Sequence, residues 1–293
     1  MKNVIETAMS EISGFKELSS KFERDIILNG KTQKTFRCYI RPIATIAMEF
    51  NTLPIKLTND EIADYLFKVK TENDYSESYF KFTVYGLRYL FRLYALEDKY
   101  IKLPSLPKKK QLPVILSQAE CKRLINSGEN FREKFMLALL YSAGLRMSEF
   151  QKLEKLDIDI ERMLILVRQG KGKKDRYIVL SKLIASRYHK YCTQYDIKKY
   201  IFPGQRGGNY ISKTSVRKIL KKALLKAGIE KSVNVHTLRH CFATHMLENG
   251  IDIVTVKEQL GHAHIQTTME YLQVARFERK TAISPLDILY GIK

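Results

Sequence analysis

The chain has 293 residues, enough for two domains of ordinary size. Its 45% hydrophobic and 28% charged residues fit a globular protein with a sizeable core. With 51 Lys and Arg against 31 Asp and Glu, the formal net charge is +20, which indicates an anionic partner, nucleic acid before a membrane surface. No run of 18 apolar residues and no signal-peptide core is present, so a membrane-spanning or secreted protein is not expected. The four separated cysteines, Cys38, Cys121, Cys192 and Cys241, form no CxxC pair, which favours a reduced, cytoplasmic protein.

The first hundred residues predict a four-helix domain. Residues 31–50 place Phe36, Ile40 and Ile43 at helical spacing, with Pro42 as a point where the helix can kink. A capping-box pattern precedes a second apolar series near residue 62, and residues 76–94 repeat the helical spacing. We therefore expect residues 1–100 to form a compact helical bundle.

Residues 101–113 are the predicted boundary between two domains. They hold three of the seven prolines and four lysines without an acidic residue. Proline disfavours helix, and the charge keeps the segment solvated. Lys108, Lys109 and Lys110 belong either to a simple spacer or to a basic strap along phosphates, and the sequence favours neither.

The rest of the chain is predicted to be mostly helical, with a small β-hairpin. Helices are expected at about 117–127, 131–143, from Met147, 181–195, 213–227, 236–248, 252–259 and 264–274. Met163–Val167 and Tyr177–Leu180 are expected as the two strands, joined by a glycine-containing, cationic turn. The fold class is therefore mainly α, with residues 114–283 as the second domain and residues 284–293 as a tail.

The segment HTLRHCFATH at residues 236–245 carries the most informative pattern. Helical spacing places His236, Arg239 and His240 on one face and Leu238 and Phe242 on another, which suits the core. The two histidines could hold a metal, but the Glu of an HExxH motif is missing and no metal is expected. A lone His-x-x-Arg is usually a surface pair, so the segment needs support from elsewhere in the chain.

Two further segments give that support. AGLRMSE sets Arg146 at a turn between helices within an apolar stretch, where an arginine is unfavourable unless it is paired. LGH at 260–262 places His262 after a tight glycine turn, and TTMEY places Tyr271 nine residues later. With 17 tyrosines in the chain, only this spacing distinguishes Tyr271.

In this order, AGLRMSE, GKGKKDR, HTLRH, LGH and TTMEY resemble the boxes of the tyrosine recombinases, the phage-integrase family. The resemblance covers the whole chain and is greatest to short Xer-like recombinases and mobile-element integrases. It implies a SAM-like core-binding domain, a basic linker and a catalytic domain. It also implies a location in the cytoplasm at the nucleoid.

The resemblance assigns roles to individual residues. Catalytic positions match Arg146, Lys171, His236, Arg239, His262 and, as the nucleophile, Tyr271. Glu149 matches an acidic position that supports the site, and His240 is expected to support it as well. Lys173 and Lys174 remain rivals of Lys171 for the lysine on the hairpin turn.

These residue types suit phosphodiester cleavage without a cofactor. Two arginines can hold non-bridging oxygens through paired donors and stabilise the charge of the transition state. His236 could accept the proton of Tyr271, and Lys171 could protonate the departing 5′ oxygen. Attachment to tyrosine conserves the bond energy, so no ATP is expected.

Other cations are candidates for contacts with the DNA backbone. They are Lys31, Lys34, Arg37 and Arg41 in the first domain, Lys108, Lys109 and Lys110 in the linker, Lys173 and Lys174 in the hairpin turn, and Arg217, Lys218, Lys221 and Lys222 on a later helix. A solvated basic face is the alternative for the helical residues.

The leading hypothesis is a site-specific recombinase that acts as a homotetramer on two double-stranded core sites, with no membrane partner. The alternatives are a type IB topoisomerase, which shares the chemistry but acts as a monomer, and an inactive DNA-binding relative. The sequence leaves open the DNA target and the choice among integration, excision, inversion and chromosome-dimer resolution.

Overall fold

A computed structural model describes residues 3–72, 75–106, 112–168, 175–204 and 209–275. The chain divides into two compact units, Met1–Lys109 and Lys110–Lys293. Several residues singled out above, namely Lys108, Lys109, Lys110, Lys171, Lys173 and Lys174, lie outside the described residues, as does the segment 276–293.

The first unit is helical throughout its described part. Its helices are α1 (Val4–Glu11), α2 (Phe15–Leu28), α3 (Gln33–Glu49), α4 (Asn59–Thr71), α5 (Glu77–Leu93) and α6 (Glu97–Lys102). Helices α3, α4 and α5 are the three that the apolar spacing locates, α2 is the fourth long helix, and α1 and α6 are short additions. α3 continues through Pro42, which is buried in the core with its neighbour Ile43.

The first residues of the predicted linker, 101–113, belong to the first unit. α6 runs into it as far as Lys102, and Leu103 is buried in the core of the first unit. The prolines therefore follow a short helix that the sequence analysis did not separate from the spacer.

The second unit combines helices with one small sheet. Its helices are α7 (Gln118–Asn126), α8 (Phe131–Ala143), α9 (Met147–Lys152), α10 (Lys182–Gln194), α11 (Lys213–Lys226), α12 (Val235–Glu248), α13 (Ile253–Leu260) and α14 (Gln266–Met269), with 3₁₀ turns at Lys155–Asp157 and Glu270–Gln273. The strands β1 (Ile158–Asp159), β2 (Leu164–Val167) and β3 (Arg176–Val179) form an antiparallel sheet in the order β1-β2-β3. The mainly α fold with a small hairpin is confirmed, and β1 adds a third strand to it.

Helix α12 lies inside the second unit rather than on its surface. It packs against α8 on one side and against α13 and the 3₁₀ turn at 270–273 on another. Leu238 is buried as predicted, but Phe242 is only half-buried while Arg239 and Ala243 on the opposite face are fully buried. The division into a core face and a functional face is therefore wrong for this helix, because neighbours cover both faces.

No helix within the described ranges is both long and apolar enough to cross a membrane.

Candidate active site

A glycine turn between α8 and α9 positions the first arginine. Gly144 ends α8 with φ +54°, and a Cβ there would lie 2.4 Å from Cδ1 of Phe242, so only glycine fits the turn. Arg146 then caps α9: its backbone N–H donates to Glu149 Oε2 at 2.9 Å, and its Nη1 donates to Glu149 Oε1 at 2.7 Å. Its Nη2 donates to the carbonyl of Gly261 at 3.1 Å. The arginine in an apolar stretch is thus paired, as its placement requires.

A third arginine, which the sequence analysis missed, joins this carboxylate from β3. Arg176 donates from Nη1 to Glu149 Oε1 at 3.0 Å and from Nη2 to Oε2 at 2.9 Å, a bidentate pair. Its Nε donates to the carbonyl of Gln259 at 3.1 Å. Gly261, with φ +62°, leaves room for this side chain, because a Cβ there would lie 2.9 Å from Arg176 Cδ.

Glu149 is held as an anion. Burial by itself would raise the pKa of its carboxyl, but the hydrogen bonds from Arg176 and Arg146 outweigh burial and hold that pKa at about 2. The carboxylate is therefore ionised throughout the neutral range and offsets part of the charge of the arginines around it.

Arg239 is fully buried and lacks one partner. Its Nη1 donates to the carbonyl of Gly144 at 2.7 Å and its Nη2 to that of Leu260 at 2.5 Å, while Nη1 stays 3.9 Å from Glu149 Oε2. Burial, and then the charge of Arg146, lower the pKa of Arg239 to about 10, so it remains cationic at neutral pH. Among the described residues its Nε has no acceptor. A buried donor without an acceptor is unfavourable in isolation and suits a site that receives an anion.

The hydroxyl of Tyr271 contacts helix α12 through a hydrogen bond with a histidine. Its hydroxyl lies 3.1 Å from Nδ1 of His240, the residue to which the resemblance assigns only support. The ring of His236, the expected proton acceptor, lies next to His240 with 4.4 Å between ring centroids. The structure therefore places His240 in direct contact with the tyrosine and His236 next to His240.

Both imidazoles are disposed to be neutral. His236 is exposed at the surface of the site, but the partial loss of hydration of its ring, then the charges of Arg239 and Arg146, lower its pKa. Burial, then the neighbouring His236 and Arg239, lower the pKa of His240 to about 4. Neutral rings can accept a hydrogen bond or a proton, so this electrostatic setting suits a pair next to a hydroxyl that must ionise.

The tyrosine itself is enclosed. Only 3% of Tyr271 is exposed, and burial raises the pKa of its phenol while the charges of Arg239 and Arg146 act to lower it. The ring of His262 stacks over it, with 6.2 Å between centroids and 16° between planes. Nδ1 of His262 lies 2.9 Å from Oγ1 of the buried Thr268, a second contact that the sequence analysis did not predict.

The back of α12 is tied to other parts of the second unit. Sγ of the fully buried Cys241 accepts a hydrogen bond from the backbone N–H of Leu116 at 3.2 Å. His245 Nδ1 lies 2.8 Å from the hydroxyl of Tyr141 on α8. These contacts hold the helix that carries Arg239 and His240 in one position.

The described candidates for contacts with the DNA backbone have exposed side chains. Lys31, Lys34, Arg37 and Arg41 are exposed in the first unit, and Arg217, Lys218, Lys221 and Lys222 are exposed on α11. Lys222 differs from its neighbours on α11, because its Nζ lies 2.5 Å from Glu129 Oε1 in an ion pair.

The model of the phage integrase family matches residues 112–277, which contain every described site residue. This chain belongs to the phage integrase family. It is a tyrosine-type site-specific recombinase, as its similarity to named relatives also shows. The tyrosine recombinase XerA of Pyrococcus horikoshii is 32% identical over 279 residues, covering 94% of this chain and 95% of the relative.

Solved structures agree with this assignment. A crystal structure of XerA recombinase is 26% identical, with a TM-score of 0.51 over 94% of this chain and 96% of that one. The XerH recombinase in a pre-cleavage complex with its difH substrate shares the fold, with a TM-score of 0.66 at 18% identity over 99% of this chain and 93% of that one.

Proposed function

We propose that this recombinase cleaves and rejoins double-stranded DNA at specific core sites through a 3′-phosphotyrosyl bond to Tyr271. The observation that carries the proposal is the cluster itself. A buried phenol lies beside two arginines, one of which, Arg239, has a buried Nε without an acceptor among the described residues. A phosphodiester is the anion that such planar donors fit best.

The reaction follows from these groups. Arg146 and Arg239 hold the non-bridging oxygens and stabilise the extra negative charge of the transition state. Tyr271 Oη bonds to phosphorus while the bond from phosphorus to the 5′ oxygen breaks. The phenolic proton passes to His240, which is 3.1 Å away, and can be shared with His236. A bound phosphate also adds negative charge next to these rings, which raises their pKa and makes them better acceptors.

Rejoining is the same path in reverse. A 5′ hydroxyl attacks the phosphotyrosyl bond and releases Tyr271, so the number of phosphate ester bonds is unchanged and neither ATP nor a metal is needed. We assign the proton for the departing 5′ oxygen to Lys171, by resemblance. A 5′-bridging sulfur is a leaving group that needs no proton, so it should restore cleavage by Lys171→Ala but not by Arg146→Ala. Rescue of Lys173→Ala or Lys174→Ala instead would move the role to that lysine.

We further propose that four copies act on two core sites, in the cytoplasm at the nucleoid, to integrate, excise, invert or resolve DNA. The exposed cations of α3 and α11 are the proposed backbone contacts. Charge of this kind binds phosphates without regard to sequence and makes affinity dependent on salt.

The test is covalent trapping. Genomic fragments to which the protein becomes covalently trapped are first enriched, and nicked duplexes are made from them. We then incubate these duplexes in excess EDTA with wild-type protein, Tyr271→Phe or Tyr177→Phe, and resolve the covalent adducts on denaturing gels. Tyr177 is the matched control, because it is 60% exposed on β3. We expect adducts from the wild type and the control, none from Tyr271→Phe, and equal DNA affinity for all three.

Adducts from Tyr271→Phe, or adducts that require Mg²⁺, would refute this mechanism. Relaxation of plasmids with a single site, without exchange between two sites, would instead make the protein a topoisomerase.

A further inference from the structure

We propose that Arg176 is a positioning residue that limits how far Glu149 neutralises the two arginines of the site, Arg146 and Arg239. This inference rests on the proposed function, since it gives Arg176 a part in strand cleavage without contact with DNA. Its side chain is 12% exposed and directed at the carboxylate.

All the hydrogen-bond acceptor positions of the Glu149 carboxylate are occupied. Two carboxylate oxygens offer about four acceptor positions. The backbone N–H and Nη1 of Arg146 take two of them, and Nη1 and Nη2 of Arg176 take the other two. Arg239 Nη1 therefore stays 3.9 Å away and bonds to a backbone carbonyl instead.

The charges show why this allocation matters. Arg146, Arg176 and Arg239 surround one carboxylate, which leaves two positive charges in excess. A phosphodiester under attack by an anionic oxygen carries about two negative charges, so the excess matches the transition state. Without Arg176, one of these charges is lost and Glu149 has two free acceptor positions that the donors of the remaining arginines can fill. The carboxylate would then compete with phosphate for their donors.

Arg176 also fixes where the carboxylate can go. Its Nε bonds to the Gln259 carbonyl, and the Gln259 side chain accepts a hydrogen bond from the backbone N–H of Val179 at 2.9 Å, so β3 is tied to the end of α13 twice. The same turn supplies the carbonyls that hold Arg146 and Arg239, those of Gly261 and Leu260. The contacts of Arg176 therefore fix the position of the Glu149 carboxylate relative to the turn that holds both Arg146 and Arg239.

The test compares Arg176→Gln and Arg176→Lys with a matched control, Arg168→Gln. Arg168 follows β2, and its neighbour Val167 pairs with Arg176; its own ion pair is with Asp157 at 2.6 Å, away from Glu149. Single-turnover cleavage of a nicked site is measured with saturating protein, together with DNA affinity and thermal unfolding. We expect Arg176→Gln to cleave about 10–100-fold more slowly with unchanged affinity, the size of effect seen when an outer partner of a metal ligand is lost. Arg176→Lys should be intermediate, because it keeps the charge but not both bonds, and the control should be close to wild type.

Two readouts separate positioning from a merely structural role. Adding Glu149→Gln to Arg176→Gln should recover several-fold in rate, because glutamine cannot neutralise the arginines. Loss of Arg176 should also raise the pKa of Glu149, so the rate of Arg176→Gln relative to wild type should increase as pH falls from 7 to 5. The double variant should lack this dependence, because Glu149, which Arg146, Arg176 and Arg239 surround, is then absent.

Equal rates for Arg176→Gln and Arg168→Gln, or a double variant that is no faster than the single one, would overturn the inference. If Arg176→Gln does not fold, the Arg176→Lys variant decides the question. Full activity of Arg176→Lys would then overturn the inference. Failure of the wild type to form any adduct would refute the proposed function instead, so the two failures are distinguishable.

Discussion

Replacing Gly144 with alanine should have two effects. It should destabilise the second unit, and it should move Arg239 from its position in the site. The residue has φ +54°, a region that costs a non-glycine residue about 1–2 kcal/mol. The new Cβ would lie 2.4 Å from Phe242 Cδ1 and 2.9 Å from its Cε1, and overpacking of this kind typically costs about 1–3 kcal/mol. Together these give a loss of about 2–5 kcal/mol in the free energy of unfolding.

Gly228→Ala is the matched control, since Gly228 has φ +63° with nothing within 4 Å of its missing Cβ. It should lose only the conformational part, about 1–2 kcal/mol. The difference of about 1–3 kcal/mol between the variants corresponds to roughly 2–12 °C in Tm for a unit of this size. Gly144→Ala should also cleave DNA more slowly, because the carbonyl of Gly144 accepts the Nη1 bond of Arg239.

Thermal and urea unfolding of both variants, with single-turnover cleavage, make the measurement. Adding Phe242→Ala to Gly144→Ala removes the clashing ring, so the two changes together should destabilise less than the sum of the two separately. Equal stability of Gly144→Ala and Gly228→Ala, or strict additivity with Phe242→Ala, would refute the steric reasoning.

Two further results are expected. Arg217→Gln and Lys221→Gln should each weaken DNA binding and reduce the log–log salt slope by about 0.9 in a filter-binding titration, whereas Lys222→Gln should do less, because its ion pair with Glu129 already occupies it. An equal change for Lys222→Gln would contradict the effect assigned to its ion pair, and an unchanged slope for all three variants would remove α11 as a backbone contact. The folded-state pKa of Glu149, about 2, lies below its ordinary value, so its ionised form stabilises the fold above the unfolded-state pKa and loses that effect as pH falls towards 2. Urea unfolding should therefore show the wild type more stable than Glu149→Gln at pH 7, with a gap that narrows below about pH 4; a gap independent of pH would contradict the arginine pairing.

The sequence predicts best what depends on local chemistry. The capping-box pattern predicted before residue 62 is a complete box between Thr58 and Glu61 at the start of α4, and the apolar spacing of α3 and α5 matches their buried residues. Short elements were missed, because the six residues of α6 and the two of β1 are too few to show a period.

Contacts between distant residues were the harder part of the site. Arg176 is one more cation after a lysine-rich turn, and nothing local shows that it pairs with a carboxylate 27 positions earlier. Likewise, helical spacing places His236 and His240 on one face, but only the packing of the 3₁₀ turn on α12 decides that His240 meets Tyr271. Both contacts depend on how distant segments pack together, and the spacing of residues within one segment does not predict that packing.

The groups of the site follow a definite order along the chain: Arg146 and Glu149 come first, then Arg176 and Arg239, and Tyr271 comes last. Ribosomes make proteins from the N-terminus, so the phosphate-holding arginines are synthesised before the attacking oxygen exists. Under the mechanism proposed above, a nascent chain, or one cut short by a nonsense codon before residue 271, lacks the attacking oxygen and cannot open a strand.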